Sequence, residues 1–229
     1  MLHGSDRDRV PGVLASGSLE HGVEGLTLMI PSKTLTLVVG LFLSASAASQ
    51  ATLYVVPGTS NPWLAGVGAG GTDPASGSSY GGEAADVAPY QSPIHVIDGF
   101  VVPGALIGWS ATGTVGHPGN DSGPDGSVVV SRVWGAQNGI PDIGVVPINA
   151  LIGVFTGATP SVFVMGSSGT VTVPAGSTGF YMGTMDGYGW ANNTGEFNVS
   201  VTAVPEPGTY LAGLSALGML GMFAWRNRK

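Results

Sequence analysis

Phe197-Asn198-Val199-Ser200-Val201-Thr202-Ala203 alternates apolar and polar residues without a break. Period two places Phe197, Val199, Val201 and Ala203 on one face of a strand, toward a core, and Asn198, Ser200 and Thr202 on the other, toward water. Further upstream, Val171 and Val173 alternate in the same way with Thr170 and Thr172. Further outward lie short runs rich in Val, Ile, Phe, Thr and Tyr, the composition of strands. They are Thr52 to Val56, Ile94 to Val102, Ala105 to Thr112, Ser127 to Val133, Ala150 to Phe155, Ser161 to Met165 and Phe180 to Met185. Pro57-Gly58, Pro103-Gly104, Pro118-Gly119, Pro124-Asp125-Gly126, Asn138-Gly139 and Pro174-Ala175-Gly176 punctuate them as turns. About nine strands at near-regular spacing predict an all-β chain folded as a single β-sandwich.

Composition agrees. Of 229 residues, 39 are Gly and 16 are Pro, the two worst helix formers, so long helical bundles are excluded. At 43% the hydrophobic content is too high for a disordered chain. There is no cysteine, which excludes disulfide scaffolds, thiolate metal sites and cysteine nucleophiles. Between residues 34 and 225 the only Lys or Arg is Arg132, against ten carboxylates from Asp73 to Glu206. Binding of nucleic acid needs basic side chains to neutralise phosphates, so this body suits a cation or a neutral ligand instead. Gly58 to Gly82 is rich in Gly, Ser and Ala and reads as a long loop tacked down by Trp63.

Both ends read as addresses. Met29-Ile-Pro-Ser-Lys33 is a short positive start, Thr34 to Leu43 an apolar core, and Ser44 to Ala51 a small-residue cleavage region. Residues 29–51 are therefore expected to be a signal peptide with a helical apolar core, read by signal peptidase. Residues 1–28 are polar and lack periodicity. Translation beginning at Met29, or a disordered leader, would each account for them. At the other end Pro205-Glu206-Pro207 precedes the apolar run Tyr210 to Trp225 and the basic cluster Arg226, Arg228 and Lys229. Sixteen apolar-run residues span only about 24 Å as a helix, short of a ~30 Å hydrocarbon core; snorkelling Arg and Lys would make up part of the difference.

The order of Pro-Glu-Pro, apolar helix and basic tail in residues 204–229 resembles the PEP-CTERM sorting signal of Gram-negative bacteria. The resemblance implies a single C-terminal hydrophobic helix held transiently in the inner membrane and removed by an exosortase. It further implies export to the periplasm, outer surface or extracellular matrix of a cell that makes exopolysaccharide. A plain C-terminal anchor is the simpler alternative.

Asp186-Gly187-Tyr188-Gly189-Trp190-Ala191-Asn192-Asn193-Thr194-Gly195 lies between two strong strand patterns. It carries a carboxylate, two adjacent amides and flexible backbone, the oxygen donors that calcium takes. A polar hairpin loop using Asn and Gly for left-handed turns accounts for the same residues.

Val171 to Val201, with Gly108 to Gly113 and Asn149 to Ile152, resembles the C-terminal half of the LecA-type galactophilic lectins. The resemblance spans Ile97 to Val201, and its specific part is Asp186 followed by Asn192-Asn193-Thr194-Gly195-Glu196-Phe197. It implies a lectin-like sandwich over residues 94–203, of a jelly-roll or galactose-binding kind, preceded by an N-terminal strand and loop over 52–93. It also implies one calcium as cofactor, with Asp186, Asn192 and Asn193 as side-chain ligands and Gly189 and Thr112 as backbone-carbonyl ligands. Two hydroxyls of a neutral saccharide would complete the ion's shell and hydrogen-bond Asp186 and Asn192. Trp190 reads as core or, from its place inside the loop, as a ring that stacks on the sugar; His117 reads as the match of a His-Pro pair that touches the sugar in those lectins or as an exposed turn histidine. The interval from Asp186 to Asn192 is one residue shorter than in those lectins. Gly123-Pro124-Asp125-Gly126 follows His117-Pro118 here, whereas its counterpart precedes the His-Pro pair there.

The expectation is thus an exported, non-enzymatic carbohydrate-binding protein that uses calcium, with the cell's own exopolysaccharide among its candidate ligands. One alternative is a structural matrix or biofilm protein without sugar binding, favoured by the shortened loop. The other is a secreted hydrolase, favoured only by scattered carboxylates such as Asp98, Asp125 and Asp142. Gly77-Ser78-Ser79-Tyr80-Gly81 fits G-x-S-x-G but lacks the strand and helix of a nucleophile elbow. His95 reads as a core or rim histidine.

Overall fold

The computed structural model describes residues 51–77, 84–117, 119–129 and 131–205, together with 215, 218–223 and 225–226. The expected leader, residues 29–50 of the expected signal peptide and Glu206 and Pro207 of the sorting motif lie outside them. Among the described residues of the body the strands are antiparallel, with two 3-10 turns, Pro62–Leu64 and Trp190–Asn192.

Twelve strands run β1 (Ala51–Pro57), β2 (Thr72–Asp73), β3 (Asp86–Val87), β4 (Ile94–Val96), β5 (Leu106–Gly116), β6 (Ser131–Trp134), β7 (Ile143–Pro147), β8 (Leu151–Gly157), β9 (Ser161–Val164), β10 (Ser168–Thr172), β11 (Ser177–Thr184) and β12 (Thr194–Ala203). One four-stranded sheet has the order β1-β12-β5-β10 and another β4-β11-β8-β9. The remaining strands form two short ribbons, β2-β3 and β6-β7.

The alternation of β12 does what its pattern requires. Phe197, Val199 and Val201 are fully buried, and they join Val56, Ile107, Trp109 and Val115 from the same sheet in one core. Leu151, Phe155, Phe180 and Met182 of the other four-stranded sheet pack into that core too. The second sheet is apolar on both faces. Ile152 and Val154, which alternate with Leu151 and Phe155 along β8, face a second cluster with Trp63, Trp134, Ile140, Ile143, Met185 and Trp190. Its centre is three indoles. Trp63 lies 5.9 Å from both Trp134 and Trp190, and Trp134 and Trp190 meet edge-on at 5.1 Å.

Sequence expectation and structure differ at several elements. The run from Ile94 keeps ladder pairing only to Val96 and then turns, with Val101 N–H on Asp98 O and Ala105 N–H on Val102 O. Ser127 to Val133 contributes only Ser131–Trp134. Its partner β7 carries no clean alternation to reveal it. Trp63 does anchor the long loop, fully buried. The loop also holds a 3-10 turn and the β2-β3 ribbon. Residues 218–223 have helical backbone, and no helix among the described residues is long and apolar enough to cross a membrane.

Candidate functional site

The loop between β11 and β12 leaves the sheet at Met185. Gly195 closes it with φ of +77°, where a side chain would collide with Thr114 O. Asp186 is buried. Its Oδ1 accepts the Gly187 N–H, and its Oδ2 accepts Asn193 Nδ2 at 2.6 Å. The same Nδ2 donates to Gly58 O at 3.2 Å. Two acceptors on one nitrogen fix the orientation of the Asn193 amide. Burial, the largest influence, raises the Asp186 carboxyl above the ordinary aspartate range. The Gly187, Asn193 and Tyr188 hydrogen bonds and the Arg132 charge oppose it. Arg132 packs where a Gly187 side chain would stand and lies 6.0 Å from the Tyr188 ring centre.

These contacts do not fit an oxygen cage for calcium at the expected ligands. Asn193 turns a donor toward Asp186, whereas a calcium ligand presents oxygen. Asn192, one residue away, faces a different neighbourhood: it lines a cavity with Asp86. Thr112 stands opposite Asn198, four positions along β12 from Thr194 at the loop's end. At about 3.4 Å per residue that is roughly 14 Å, beyond reach of the loop. Gly189 is buried and precedes the 3-10 turn in extended conformation. Trp190 is fully buried and its Nε1 donates to Thr184 O at 2.6 Å. Its ring faces Trp63 and Trp134, so it has no face open to a sugar. His117 is exposed just past the end of β5, and Gly116 there pairs with Thr194.

A second polar group, not foreseen from the sequence, lies inside the long loop. Asn61, Asp73, Ser76 and Asp86 are all buried, each at most 2% exposed. Asn61 Oδ1 accepts the Trp63 N–H and so caps the Pro62–Leu64 turn. That directs its Nδ2 to Asp73 Oδ2 and Asp86 Oδ2, both at 3.0 Å. Asp73 Oδ1 accepts the Ala75 N–H. Ser76 Oγ links the two arms, donating to Asp73 O and accepting the Asp86 N–H. The Trp190 N–H also reaches Asp86 Oδ2, at 3.2 Å. Asp86 Oδ1 is buried and has no partner among the described residues. Burial raises the Asp86 carboxyl above the ordinary range, and the neighbouring Asp73 charge adds to this.

Asp86 lines a cavity of about 500 Å³ together with Ala84, Val87, Tyr90, Gln91 and Asn192. Tyr90 is 81% exposed, so its ring is open to a ligand. Gln91 Oε1 accepts the Val87 N–H and holds that side chain at the wall. The only sequence signals for this site were Asn61 before Pro62 and the two aspartates. Beside Gly and Pro, those residues also suit turns.

The remaining candidates are dispersed. Asp98 accepts the Thr52 and Tyr54 hydroxyls, each at 2.9 Å. Asp125 accepts the Ser167 N–H at 2.8 Å, and Asp142 is exposed. Among the described residues no group of three or more His, Asp or Glu comes together as a metal site. His95 is a rim residue, exposed and stacked on Tyr181 at 4.4 Å. Most of the G-x-S-x-G stretch lies outside the described residues.

No curated protein matches the chain. Among solved structures it is similar to the EclA N-terminal domain, a PllA-like lectin, at 16% identity and a TM-score of 0.36, covering 69% of this chain and all of that one. Residues 203–229 match the PEP-CTERM protein-sorting motif. The chain thus ends in a PEP-CTERM sorting motif, which implies processing by an exosortase and indicates export and surface sorting in Gram-negative bacteria.

Proposed function

We propose that this surface-sorted protein is a β-sandwich lectin that binds a neutral saccharide, without covalent chemistry, in the cavity between the Asp86–Gln91 segment and Asn192. One observation carries the reading: an exposed aromatic residue and two residues with side-chain amides line one cavity. A sugar offers an apolar ring face and a rim of hydroxyls. Tyr90 suits the first, and the side-chain amides of Gln91 and Asn192 suit the second. The cavity volume lies within the range of small-molecule sites. Among the described residues that line it, none is cationic, so nothing there favours an anion. The cell's own exopolysaccharide is the ligand class that surface sorting would bring within reach.

The test is titration of the full-length chain in mild detergent with neutral oligosaccharides, beginning with galactose-containing ones. Binding that is lost in Tyr90→Ala and weakened in Asn192→Ala, with the melting temperature unchanged, is the expected outcome. Absence of binding to any neutral glycan would favour a structural matrix role. Binding unaffected by either substitution would move the site elsewhere.

A further inference from the structure

The β6-β7 ribbon is apolar on both faces. Its inner face packs Trp134, Ile143 and Val146 into the indole cluster. Arg132 pairs with Val146 and Trp134 with Ile143, and the register slips between the two pairs, so Gly144 and Val145 together stand opposite Val133. Val133 and Val145 share the outer face, 60% and 78% exposed, and Val128 and Val129 just before β6 are 99% and 85% exposed. A sheet with one solvated face ordinarily turns polar residues outward; here the outward positions carry valine. β6 is also an edge, since among the described residues its backbone pairs with β7 alone. Exposed edges are commonly guarded by Lys or Pro, and β6 has neither. Its one charged side chain, Arg132, packs beside Gly187 instead.

We propose that the β6 edge and the valines around it form the contact between two copies of this chain, paired edge to edge about a two-fold axis. A strand edge presents a row of backbone N–H and C=O groups, and another unpaired edge answers that row. Two identical edges brought together antiparallel are self-complementary, as a two-fold contact requires. Charge points to the same strip. The chain carries a formal net charge of −7, so two copies repel each other over most of their surface. Residues 126–141 contain no Asp or Glu, and Asp125 and Asp142 bound the stretch. A like-charged copy can therefore approach here without setting carboxylate against carboxylate. A cationic partner would be drawn to the carboxylates elsewhere, not to the valines.

The full-length chain in mild detergent is followed by sedimentation equilibrium over a range of protein concentrations. A monomer–dimer equilibrium is expected, shifted toward dimer by added salt, which screens the repulsion between acidic bodies. Val133→Glu and Val145→Glu should each give a monomer with an unchanged melting temperature. Leu53→Glu, at an exposed position on β1, should keep the dimer. A wild-type chain that stays monomeric overturns the proposal. So does association that survives both valine substitutions, which would place the contact elsewhere, the apolar C-terminal run included. Dissociation by salt would overturn the apolar strip as its basis. Should the glutamate variants fail to fold, the absence of cysteine allows a second reading from one introduced thiol. A short bis-maleimide should join Val133→Cys to its counterpart and leave Leu53→Cys unjoined; equal cross-linking of the two overturns the site. A dimer would carry two saccharide cavities, which raises avidity for a repeating polymer. That consequence rests on the saccharide reading, whereas the dimer does not: monomeric Val133→Glu should still bind a short oligosaccharide.

Discussion

Asp186 and Asp86 are both buried carboxyls raised by burial, in two neighbouring regions joined through Trp190, and their surroundings differ. Asp186 sits in a self-sufficient loop: each oxygen has an N–H donor, and the Arg132 charge opposes its upward shift. Asp86 shares its only side-chain amide donor with a second buried aspartate and keeps one oxygen unpartnered beside a cavity. The difference teaches that a sequence motif of ligand types does not locate a site. The loop richest in calcium-type donors spends them on its own folding. A loop that reads as turn composition assembles the polar cluster that keeps an unpartnered oxygen, and buried polar atoms without partners are exceptions in folded proteins.

The largest expected effect comes from the residue that joins the two regions. Trp190→Ala empties the centre of the indole cluster and is expected to destabilise by about 3–5 kcal/mol, read as a lower urea midpoint. A change below 1 kcal/mol would mean that Trp190 does not hold the regions together. Next is Asn193→Ala, which leaves Asp186 Oδ2 and Gly58 O without that donor. An unsatisfied buried group costs about 1–3 kcal/mol, read again as a lower urea midpoint. An unchanged midpoint would mean that the Asp186 loop does not depend on this amide.

The pH profile sharpens the comparison further. Both aspartates titrate above the ordinary value of 3.8 in the folded chain. The folded state therefore binds more protons than the unfolded state over that window. The stability this contributes is complete below 3.8 and is lost as pH rises through the two raised values. Urea unfolding should show this decline, and Asp86→Asn and Asp186→Asn should each remove part of it. A flat profile would show that neither carboxyl is protonated on folding. The smallest stability effect is expected for Tyr90→Ala, within about 0.5 kcal/mol because the ring is exposed. The variant should still lose saccharide binding, and retained affinity would separate the ring from the ligand.

Much of the strand framework was legible because it depends on short-range patterns. β12 and β10 announce themselves by alternation, and β1, β5, β8, β9 and β11 by apolar β-branched and aromatic runs between turn signals. β7 was missed because Ile143-Gly144-Val145-Val146-Pro147 breaks the period with Gly and ends in Pro. The burial of Trp63 was legible too, as an isolated anchor in a polar stretch. From the sequence Trp190 reads equally as core or as a sugar platform. Its loop context suggested exposure, and only the packing of residues distant in sequence, Trp63 and Trp134, encloses it.

Sequence alone determined the all-β character of the body, its poverty in basic side chains and the C-terminal sorting address. Each of these follows from composition or from spacing within a few residues, so each is a local property. Tertiary structure decided which oxygen atoms remain without partners. Asn61, Asp73 and Asp86 are separated by 12 and 13 positions and are brought together by the Pro62–Leu64 turn and the β2-β3 ribbon beside the second apolar cluster. Whether a carboxylate is a structural acceptor or an open site depends on the donors around it, and long-range packing alone supplies them.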